Sequence, residues 1–272
     1  MSGEVDYDSL VRLVSRAALF STGIVALGTT AEPCSLDQEE RERILATVMR
    51  TTAKPIVVGV TGNDTAAVVR SARRYEALGA SALLCVTPYY NRCAEAGLLA
   101  HYRALAEAVN IPVILYNVPR RTGVNITPDT LSRLLLLPHV IGVKEATTDA
   151  IQIMRYANIC RELGRTLFAG DDAMLPVFRA VGAESAVSAA ANAIPDVMEE
   201  GLLMPLSDVP RWSYRYLPLV ERLFAEANPI GVKQACYHLG FCANELRLPL
   251  TPSADPLLPV LLGNAGFSVV ND

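Results

Sequence analysis

Seven short apolar segments recur along the chain at intervals of roughly 20 to 30 residues, and this recurrence limits the possible folds more than any other feature. Each segment is nearly continuous in apolar and β-branched residues, which is typical of parallel strands covered by helices on both faces. The spacing fits one strand plus one crossover helix. The pattern predicts an α/β fold, either a barrel or a doubly wound sheet. The segments are GIVALGTT (23–30), PIVVGVT (55–61), ASALLCVTPYY (80–90), PVILYNVP (112–119), VIGVKEAT (140–147), TLFAGDD (166–172) and SAVSAAAN (185–192).

Amphipathic segments between the apolar runs predict helices, and Ser35 and Thr127 are their candidate N-caps. We predict a β/α barrel over residues 1–194 and a helical region over residues 195–272, since only helical patterns follow residue 194. The chain opens on a helical pattern, so a (β/α)8 TIM barrel would lack its first strand. The predicted helices lie at about 6–19, 35–50, 64–79, 127–137, 195–204, 210–226, 229–240 and 254–264, and the last residues, 267–272, are apolar enough for a strand.

Composition excludes several classes of partner. The net charge is −4 and no basic stripe is present, which argues against a nucleic-acid partner. The amino terminus is acidic and lacks an apolar signal segment, so we expect no membrane association and a cytoplasmic location. Six cysteines are scattered without a CxxC pair, as in reduced cytoplasmic proteins. Three histidines share no ligand spacing, so we expect surface or cap histidines and no metal site.

Lys144 is the most informative single residue. The chain contains only three lysines, and Lys144 alone interrupts an apolar strand. Active sites of β/α barrels form at the carboxyl ends of strands, where Lys144 lies. Partial desolvation favours the neutral amine, which can attack a carbonyl carbon. The alternative is a buried ion pair with an aspartate of a neighbouring strand. Glu145 is not the expected partner, because adjacent strand residues face opposite sides.

Tyrosine and threonine hydroxyls near other strand ends are compatible with the same chemistry. Tyr116 ends the preceding strand, where it is either a proton shuttle or a packed aromatic residue with one satisfied hydroxyl. Thr29 and Thr30 offer hydroxyls and amides at a strand-to-helix turn, a suitable cradle for a carboxylate. Two threonines alone are a weak signal.

Seven motifs resemble those of the dihydrodipicolinate synthase and N-acetylneuraminate lyase superfamily, and within it the dihydrodipicolinate synthases. They occur in matching order from residue 6 to the carboxyl terminus, and several together are highly specific. The motifs are GTTAE (28–32), VTPYYNR (86–92), YNVPRRTG (116–123), GVKEAT (142–147), GDD (170–172), NPIGVK (228–233) and LRLPLTP (246–252).

The resemblance implies a pyruvate-dependent condensation in lysine and diaminopimelate biosynthesis. Lys144 would form an imine with pyruvate, and the enamine would attack aspartate 4-semialdehyde to give 4-hydroxy-tetrahydrodipicolinate. Tyr116, Thr29 and Tyr90 would form the proton relay. In the family the residue matching Tyr90 reaches across a dimer interface, which implies a dimer or a tetramer of two dimers. No cofactor is implied, because the imine supplies the electron sink.

The same resemblance assigns four substrate-binding residues. Arg121 matches the arginine that receives the carboxylate of the semialdehyde, for which a planar guanidinium is well suited. Thr30 matches a carboxylate anchor for pyruvate, and Gly170 and Val187 match positions that line the site.

The sequence also departs from the family pattern. Ala31 replaces a glycine of GTTGE, which costs roughly 1 kcal/mol if that position has a positive φ. The family's first strand is absent, unless upstream sequence supplies it. Residues 38–41 lack the histidine that family members inhibited by lysine carry, so we expect weak or absent inhibition by lysine. Two alternatives stay open: an aldolase for 2-keto-3-deoxy sugar acids, and a weakly active or non-catalytic paralogue.

Overall fold

The computed structural model describes residues 3–270. It contains seven strands, each within a segment predicted above. Among the described residues there is no eighth strand: residues 267–270 are irregular, and the rest of the apolar carboxyl-terminal segment lies outside the described residues. The strands are β1 (Ile24–Ala26), β2 (Ile56–Val60), β3 (Ala82–Val86), β4 (Val113–Asn117), β5 (Val140–Glu145), β6 (Thr166–Ala169) and β7 (Ser185–Ala186).

Twelve α-helices occur among the described residues, and every predicted helix is among them. Those after residue 194 are α9 to α12. The helices are α1 (Tyr7–Leu19), α2 (Gln38–Thr51), α3 (Thr65–Ala77), α4 (Glu95–Ala106), α5 (Pro119–Thr122), α6 (Pro128–Leu134), α7 (Ala150–Glu162), α8 (Leu175–Ala180), α9 (Pro195–Leu203), α10 (Val209–Leu223), α11 (Ile230–His238) and α12 (Leu257–Ala265).

The start of α2 corrects one predicted cap and α6 confirms the other. Ser35 ends a short 3₁₀ turn, and the N-cap of α2 is Asp37, whose carboxylate accepts a hydrogen bond from the Glu40 amide at 2.8 Å. The Glu40 carboxylate accepts from the Asp37 amide in return, which completes a capping box. Thr127 caps α6 as predicted.

Two compact units divide the chain, Pro55–Val187 and the combination of Met1–Lys54 with Ser188–Asp272. In the first unit, β2 to β7 form a parallel sheet in which each strand pairs with the next one in the chain. The strands are nearly all buried, as expected when crossover helices cover a parallel sheet. This repeated β-α architecture agrees with the predicted fold class. The predicted boundary between residues 194 and 195 stays a prediction.

The second unit joins the amino-terminal helix to the carboxyl-terminal helices. Arg16 on α1 donates a hydrogen bond to the Ala193 carbonyl at 2.7 Å, and its guanidinium lies 4.5 Å from the centre of the Phe241 ring. The single tryptophan, Trp212 on α10, is buried and donates to the Val197 carbonyl at 3.0 Å. These contacts explain why segments far apart in sequence form one unit.

An ion pair in the second unit connects the capping box of α2 to the LRLPLTP motif. The two terminal nitrogens of the Arg247 guanidinium, Nη1 and Nη2, donate to the two oxygens of the Glu40 carboxylate. Hydrogen bonding by Arg247 lowers the pKa of Glu40 from 4.5 to about 2. A carboxyl group whose pKa is lower in the folded state stabilises the fold above its unfolded pKa, and this contribution disappears as the pH falls toward the folded pKa.

We therefore expect the Glu40→Gln variant to be less stable than the wild type near neutral pH, with a difference that shrinks as the pH falls from 4.5 toward about 2. Urea unfolding followed by Trp212 fluorescence measures this. Glu39→Gln is the matched control, because Glu39 is an exposed carboxylate in the same helical turn. A stability difference for Glu40→Gln that does not change with pH would contradict the prediction.

Residues 3–270 include no helix with the length and the apolar character needed to span a bilayer.

Candidate active site

Four of the predicted site residues lie at the carboxyl ends of adjacent strands in the unit Pro55–Val187. Tyr116 on β4 is the register partner of Lys144 on β5. Beyond β6, the Gly170 amide donates to the Glu145 carbonyl at 2.8 Å, and beyond β7 the Val187 amide donates to the Ala169 carbonyl at 2.8 Å. The parallel register therefore brings these residues to one edge of the sheet.

Lys144 and Tyr116 form the centre of this site. The Lys144 Nζ lies 4.3 Å from the centre of the Tyr116 ring, over its face. Both residues are nearly buried, with exposures of 9% for Lys144 and 7% for Tyr116. An ammonium group over an aromatic face is attracted by the ring quadrupole, and this contact restricts where the side chain points. The arrangement places a primary amine over the ring of a tyrosine, and these two side chains can supply an imine-forming amine and a proton carrier.

Lys144 forms no ion pair among residues 3–270, so the ion-pair alternative is not what the structure shows. Glu145 lies on the other face of β5 and is fully buried. Its carboxylate accepts hydrogen bonds from Asn117 Nδ2 at 2.9 Å and Gln152 Nε2 at 3.0 Å. Burial raises the pKa of Glu145, while these hydrogen bonds act in the opposite direction. The strand alternation separates the two adjacent charged residues as expected.

Gly170 leaves the space that the Lys144 side chain occupies. A β-carbon at residue 170 would lie 2.7 Å from the Glu145 carbonyl oxygen and 2.8 Å from Lys144 Cγ. Both distances are shorter than van der Waals contact, and the carbonyl belongs to the paired backbone of β5. A side chain at this position would therefore displace Lys144.

We expect Gly170→Ala to slow imine formation at Lys144 and to destabilise the fold by about 1–3 kcal/mol, as overpacking does elsewhere. The rate of reductive trapping with pyruvate and the unfolding temperature measure the two effects. Gly263→Ala is the control, since a β-carbon there meets no atom within 4 Å. Wild-type trapping by Gly170→Ala would contradict the inference that residue 170 must lack a side chain.

Two further predicted residues follow strands of the same unit. Arg121 lies on α5, directly after β4, and is exposed. Its neighbour Arg120 forms an ion pair with Asp171 at 3.7 Å. Tyr90 follows β3 with a φ of 70° and an exposure of 89%. An exposed tyrosine in the left-handed region is a strained arrangement, and nothing within the described chain covers its ring.

Thr29 and Thr30 lie in the other unit, in a 3₁₀ turn that follows β1. The Thr30 hydroxyl oxygen accepts a hydrogen bond from Asn228 Nδ2 at 2.9 Å. This bond leaves the Thr30 hydroxyl proton to donate to another acceptor. Asn228 belongs to the NPIGVK motif, so two of the recognised motifs meet here.

The substitution at Ala31 does not carry the expected cost. Ala31 belongs to the 3₁₀ turn, and the left-handed residue that follows it is Glu32, with a φ of 54°. The Glu32 carboxylate is held by an ion pair with Lys233. Because the positive φ occurs at residue 32, an alanine at 31 is compatible with the turn.

Two of the three histidines differ from the expectation that they are surface or cap residues, whereas His139 is exposed as expected. His101 and His238 are buried, with exposures of 3% and 7%. His101 Nδ1 shares a hydrogen bond with the Thr65 hydroxyl at 2.9 Å, and burial lowers the pKa of His101. In the part of the chain that the structure describes, no cluster of three or more His, Cys, Asp or Glu side chains is arranged to hold a metal ion.

Comparison with known proteins decides the family. The model of the dihydrodipicolinate synthetase family matches residues 1–259. The chain belongs to this family. It is 38% identical over 261 residues to the 4-hydroxy-tetrahydrodipicolinate synthase of Phenylobacterium zucineum, a match that covers 93% of this chain and 88% of that protein. It is 39% identical over 256 residues to the 4-hydroxy-tetrahydrodipicolinate synthase of Methylococcus capsulatus, and this match covers 92% of this chain and 88% of that protein.

Solved structures of the dihydrodipicolinate synthetase family have the same fold. The dihydrodipicolinate synthase of Thermotoga maritima has a TM-score of 0.93 and 33% identity, and the match covers 98% of this chain and 95% of that one. The chloride-inhibited dihydrodipicolinate synthase of Acinetobacter baumannii, complexed with pyruvate, has a TM-score of 0.91 and 35% identity, and the match covers 97% of this chain and 94% of that one. The resemblance inferred from the motifs is confirmed.

Sequence reasoning assigned no role to three residues on the face of β4 and β5 opposite to Lys144. Asn117, Glu145 and Gln152 form a buried polar group on the side of β4 and β5 away from Lys144. A signal was present, because YN and KE each place a polar residue directly after a candidate catalytic one. Asn228 was likewise quoted in a motif without a role.

Proposed function

We propose that this chain catalyses the condensation of pyruvate with aspartate 4-semialdehyde to 4-hydroxy-tetrahydrodipicolinate, with Lys144 as the imine-forming residue. The observation that carries the proposal is the position of the Lys144 amine over the Tyr116 ring, at the paired ends of two buried strands. Membership of the family and the names of its relatives support the same reaction.

The chemistry proceeds in balanced steps from this geometry. The neutral Lys144 amine adds to the pyruvate carbonyl, and the carbinolamine hydroxyl leaves as water after it is protonated. Loss of a methyl proton gives the enamine, whose carbon bonds to the aldehyde carbon of the semialdehyde; the aldehyde C=O double bond becomes a single bond, its oxygen takes up a proton to become the hydroxyl group, and the imine with Lys144 re-forms. The amine of the semialdehyde then attacks the imine carbon, which closes the ring and releases Lys144. Tyr116 is the proton carrier proposed for these transfers.

Other residues complete the proposal on the strength of the family resemblance. Thr29 and Tyr90 extend the proton relay, and Thr30 anchors the pyruvate carboxylate. The exposure of the Tyr90 ring supports its placement at a contact with a second copy of the chain, in a dimer or a tetramer. Val187 lines the site. A (β/α) barrel with fewer than eight strands and the cytoplasmic location stay predictions.

The decisive experiment is borohydride trapping with pyruvate, followed by intact and peptide mass spectrometry. The expected result is a stoichiometric adduct on Lys144, with Lys54 and Lys233 unmodified. If the folded protein gives no adduct at Lys144, the proposal is contradicted. Adduct formation followed by turnover with a sugar-acid aldehyde, but not with the semialdehyde, would reassign the acceptor alone.

We expect Arg121→Ala to raise the KM for aspartate 4-semialdehyde roughly 10- to 100-fold, because the substrate carboxylate loses charge-assisted hydrogen bonds. Imine formation with pyruvate should be unchanged. Arg120→Ala is the matched control, since Arg120 is the adjacent arginine on α5 and pairs with Asp171. Steady-state kinetics with each substrate varied separately make the measurement. An unchanged KM for the semialdehyde would remove Arg121 from the acceptor site.

A further inference from the structure

A buried polar cluster lies on the side of β4 and β5 opposite to Lys144 and Tyr116. Its members are Asn117, Asn125, Glu145, Gln152 and Tyr156, and we call it the Glu145 cluster. Asn117, Glu145 and Tyr156 are fully buried, and Asn125 reaches the surface. Burial of the other four polar side chains is costly unless their hydrogen-bonding groups are satisfied.

The hydrogen bonds of the Glu145 cluster form one consistent arrangement of donors and acceptors. Glu145 Oε2 accepts from Asn117 Nδ2 and Gln152 Nε2, and Oε1 accepts from the Thr147 amide at 2.8 Å. Asn125 and Gln152 exchange two hydrogen bonds, at 2.9 and 3.0 Å. Three donors converge on Glu145 in this arrangement, and a carboxylate suits them because both of its oxygens accept hydrogen bonds.

The cluster also connects the ends of β4 and β5 to the neighbouring loop and helix. Asn117 and Glu145 are register partners, one residue beyond the partners Tyr116 and Lys144. Asn117 Oδ1 accepts from the Ile126 amide at 3.0 Å, and the Tyr156 hydroxyl donates to the Ile126 carbonyl. Because α7 supplies Gln152 and Tyr156, the cluster joins both strand ends to that helix.

A rotation of either strand end would turn Lys144 or Tyr116 away from the other and would also break hydrogen bonds of the buried Asn117 and Glu145 side chains. We propose that Glu145 is a positioning residue, which fixes the Lys144 amine over the Tyr116 ring through its hydrogen bonds to Asn117 and Gln152. This inference rests on the proposed role of Lys144 as the imine-forming residue.

The first test is Glu145→Gln, which keeps the shape of the side chain and removes one acceptor. The new amide nitrogen would face the amide nitrogens of Asn117 and Gln152. Rotation of the Gln152 amide would relieve one of these contacts, but Asn117 cannot rotate without losing the hydrogen bond that its Oδ1 accepts from the Ile126 amide. We expect the rate of pyruvate imine formation, per folded molecule, to fall roughly 10- to 100-fold, the range typical of a small misplacement of a reacting group.

The double variant Glu145→Gln/Asn117→Asp provides the rescue. It moves the carboxylate from residue 145 to residue 117, where it can accept from the new glutamine and from the Ile126 amide. Half-turn rotations of the Asn125 and Gln152 amides then reverse the remaining hydrogen bonds, so every donor again meets an acceptor. We expect the imine rate to return to within about threefold of the wild type, which independent effects would not produce.

A readout without pyruvate separates this inference from the proposed function. Acetylation of Lys144 by acetic anhydride, measured against exposed Lys54 in the same sample, reports the environment of the amine in each variant. Leu105→Ala is the control for lost stability, because Leu105 is a buried residue of α4 outside the cluster. It should leave the imine rate per folded molecule unchanged.

The outcomes distinguish the two claims. If the wild type forms no imine, the proposed function fails, while a changed acetylation ratio in Glu145→Gln would still support positioning and an unchanged ratio would overturn it. If the wild type forms the imine and Glu145→Gln does so at the same rate, the inference is overturned and the proposed function stands. A folded double variant that stays as slow as Glu145→Gln would also overturn it.

Discussion

Replacement of Lys144 by alanine is expected to abolish the pyruvate adduct and to lower the condensation rate on the order of 10⁴-fold or more, the scale seen when a covalent nucleophile is removed. The residual rate would come from substrate binding alone. Reductive trapping with mass spectrometry measures the adduct, and a coupled assay of semialdehyde consumption measures turnover.

Two further variants test whether the effect of Lys144→Ala is specific to the loss of the Lys144 amine. Lys144→Arg places a guanidinium over the Tyr116 ring but cannot form the imine, so it should be as inactive as Lys144→Ala while retaining more of the wild-type stability. Lys54→Ala removes an exposed lysine just before β2 and should leave turnover unchanged. Retention of the adduct in Lys144→Ala would place the imine on another lysine.

Tyr116→Phe has the second largest expected effect. The variant keeps the ring beneath the Lys144 amine and removes only the hydroxyl that we propose as proton carrier. The loss of one general acid–base group is expected to slow imine formation about 100-fold. Stopped-flow trapping measures this rate, and kcat should fall far more than KM for pyruvate rises.

The control for Tyr116→Phe is a buried tyrosine of the same unit. The Tyr102 hydroxyl donates to the Cys85 carbonyl at 3.0 Å, so Tyr102→Phe loses one buried hydrogen bond, worth about 0.5–1.5 kcal/mol. It should lower stability and leave the imine rate per folded molecule intact. A normal imine rate in Tyr116→Phe would show that the Tyr116 hydroxyl carries no proton in the reaction and that the residue is only a packed aromatic side chain.

The strands were predictable because their signal is local. A short apolar run needs only its own composition to be recognised as a buried parallel strand, and all seven strands lie within such predicted segments. The start of α2 was misplaced because Ser35 resembles a cap, whereas Asp37 and Glu40 form a reciprocal capping box visible at the D-x-x-E spacing. The strand at residues 185–192 was predicted too long, since Ala190–Asn192 forms a 3₁₀ turn instead.

Lys144 could be found from the sequence because a lysine inside an apolar strand is locally conspicuous. Its surroundings could not be found in the same way. Asn117, which donates a hydrogen bond to Glu145, lies 28 residues away in the chain. Asn228, which donates a hydrogen bond to Thr30, lies 198 residues away. His101 and His238 were expected at the surface or as caps, although the packing of their helices buries both. Such pairings depend on how the elements dock.

The sequence by itself determined the repeated β-α pattern, the family and the lysine that carries the proposed chemistry, because each depends on residue type and local order. Only the tertiary structure decided that Tyr116 lies beneath the Lys144 amine, that Gly170 leaves it room, and that Glu145 is secured on the opposite face. Strand register and helix docking set these contacts, and they arise from the burial of many distant side chains at once.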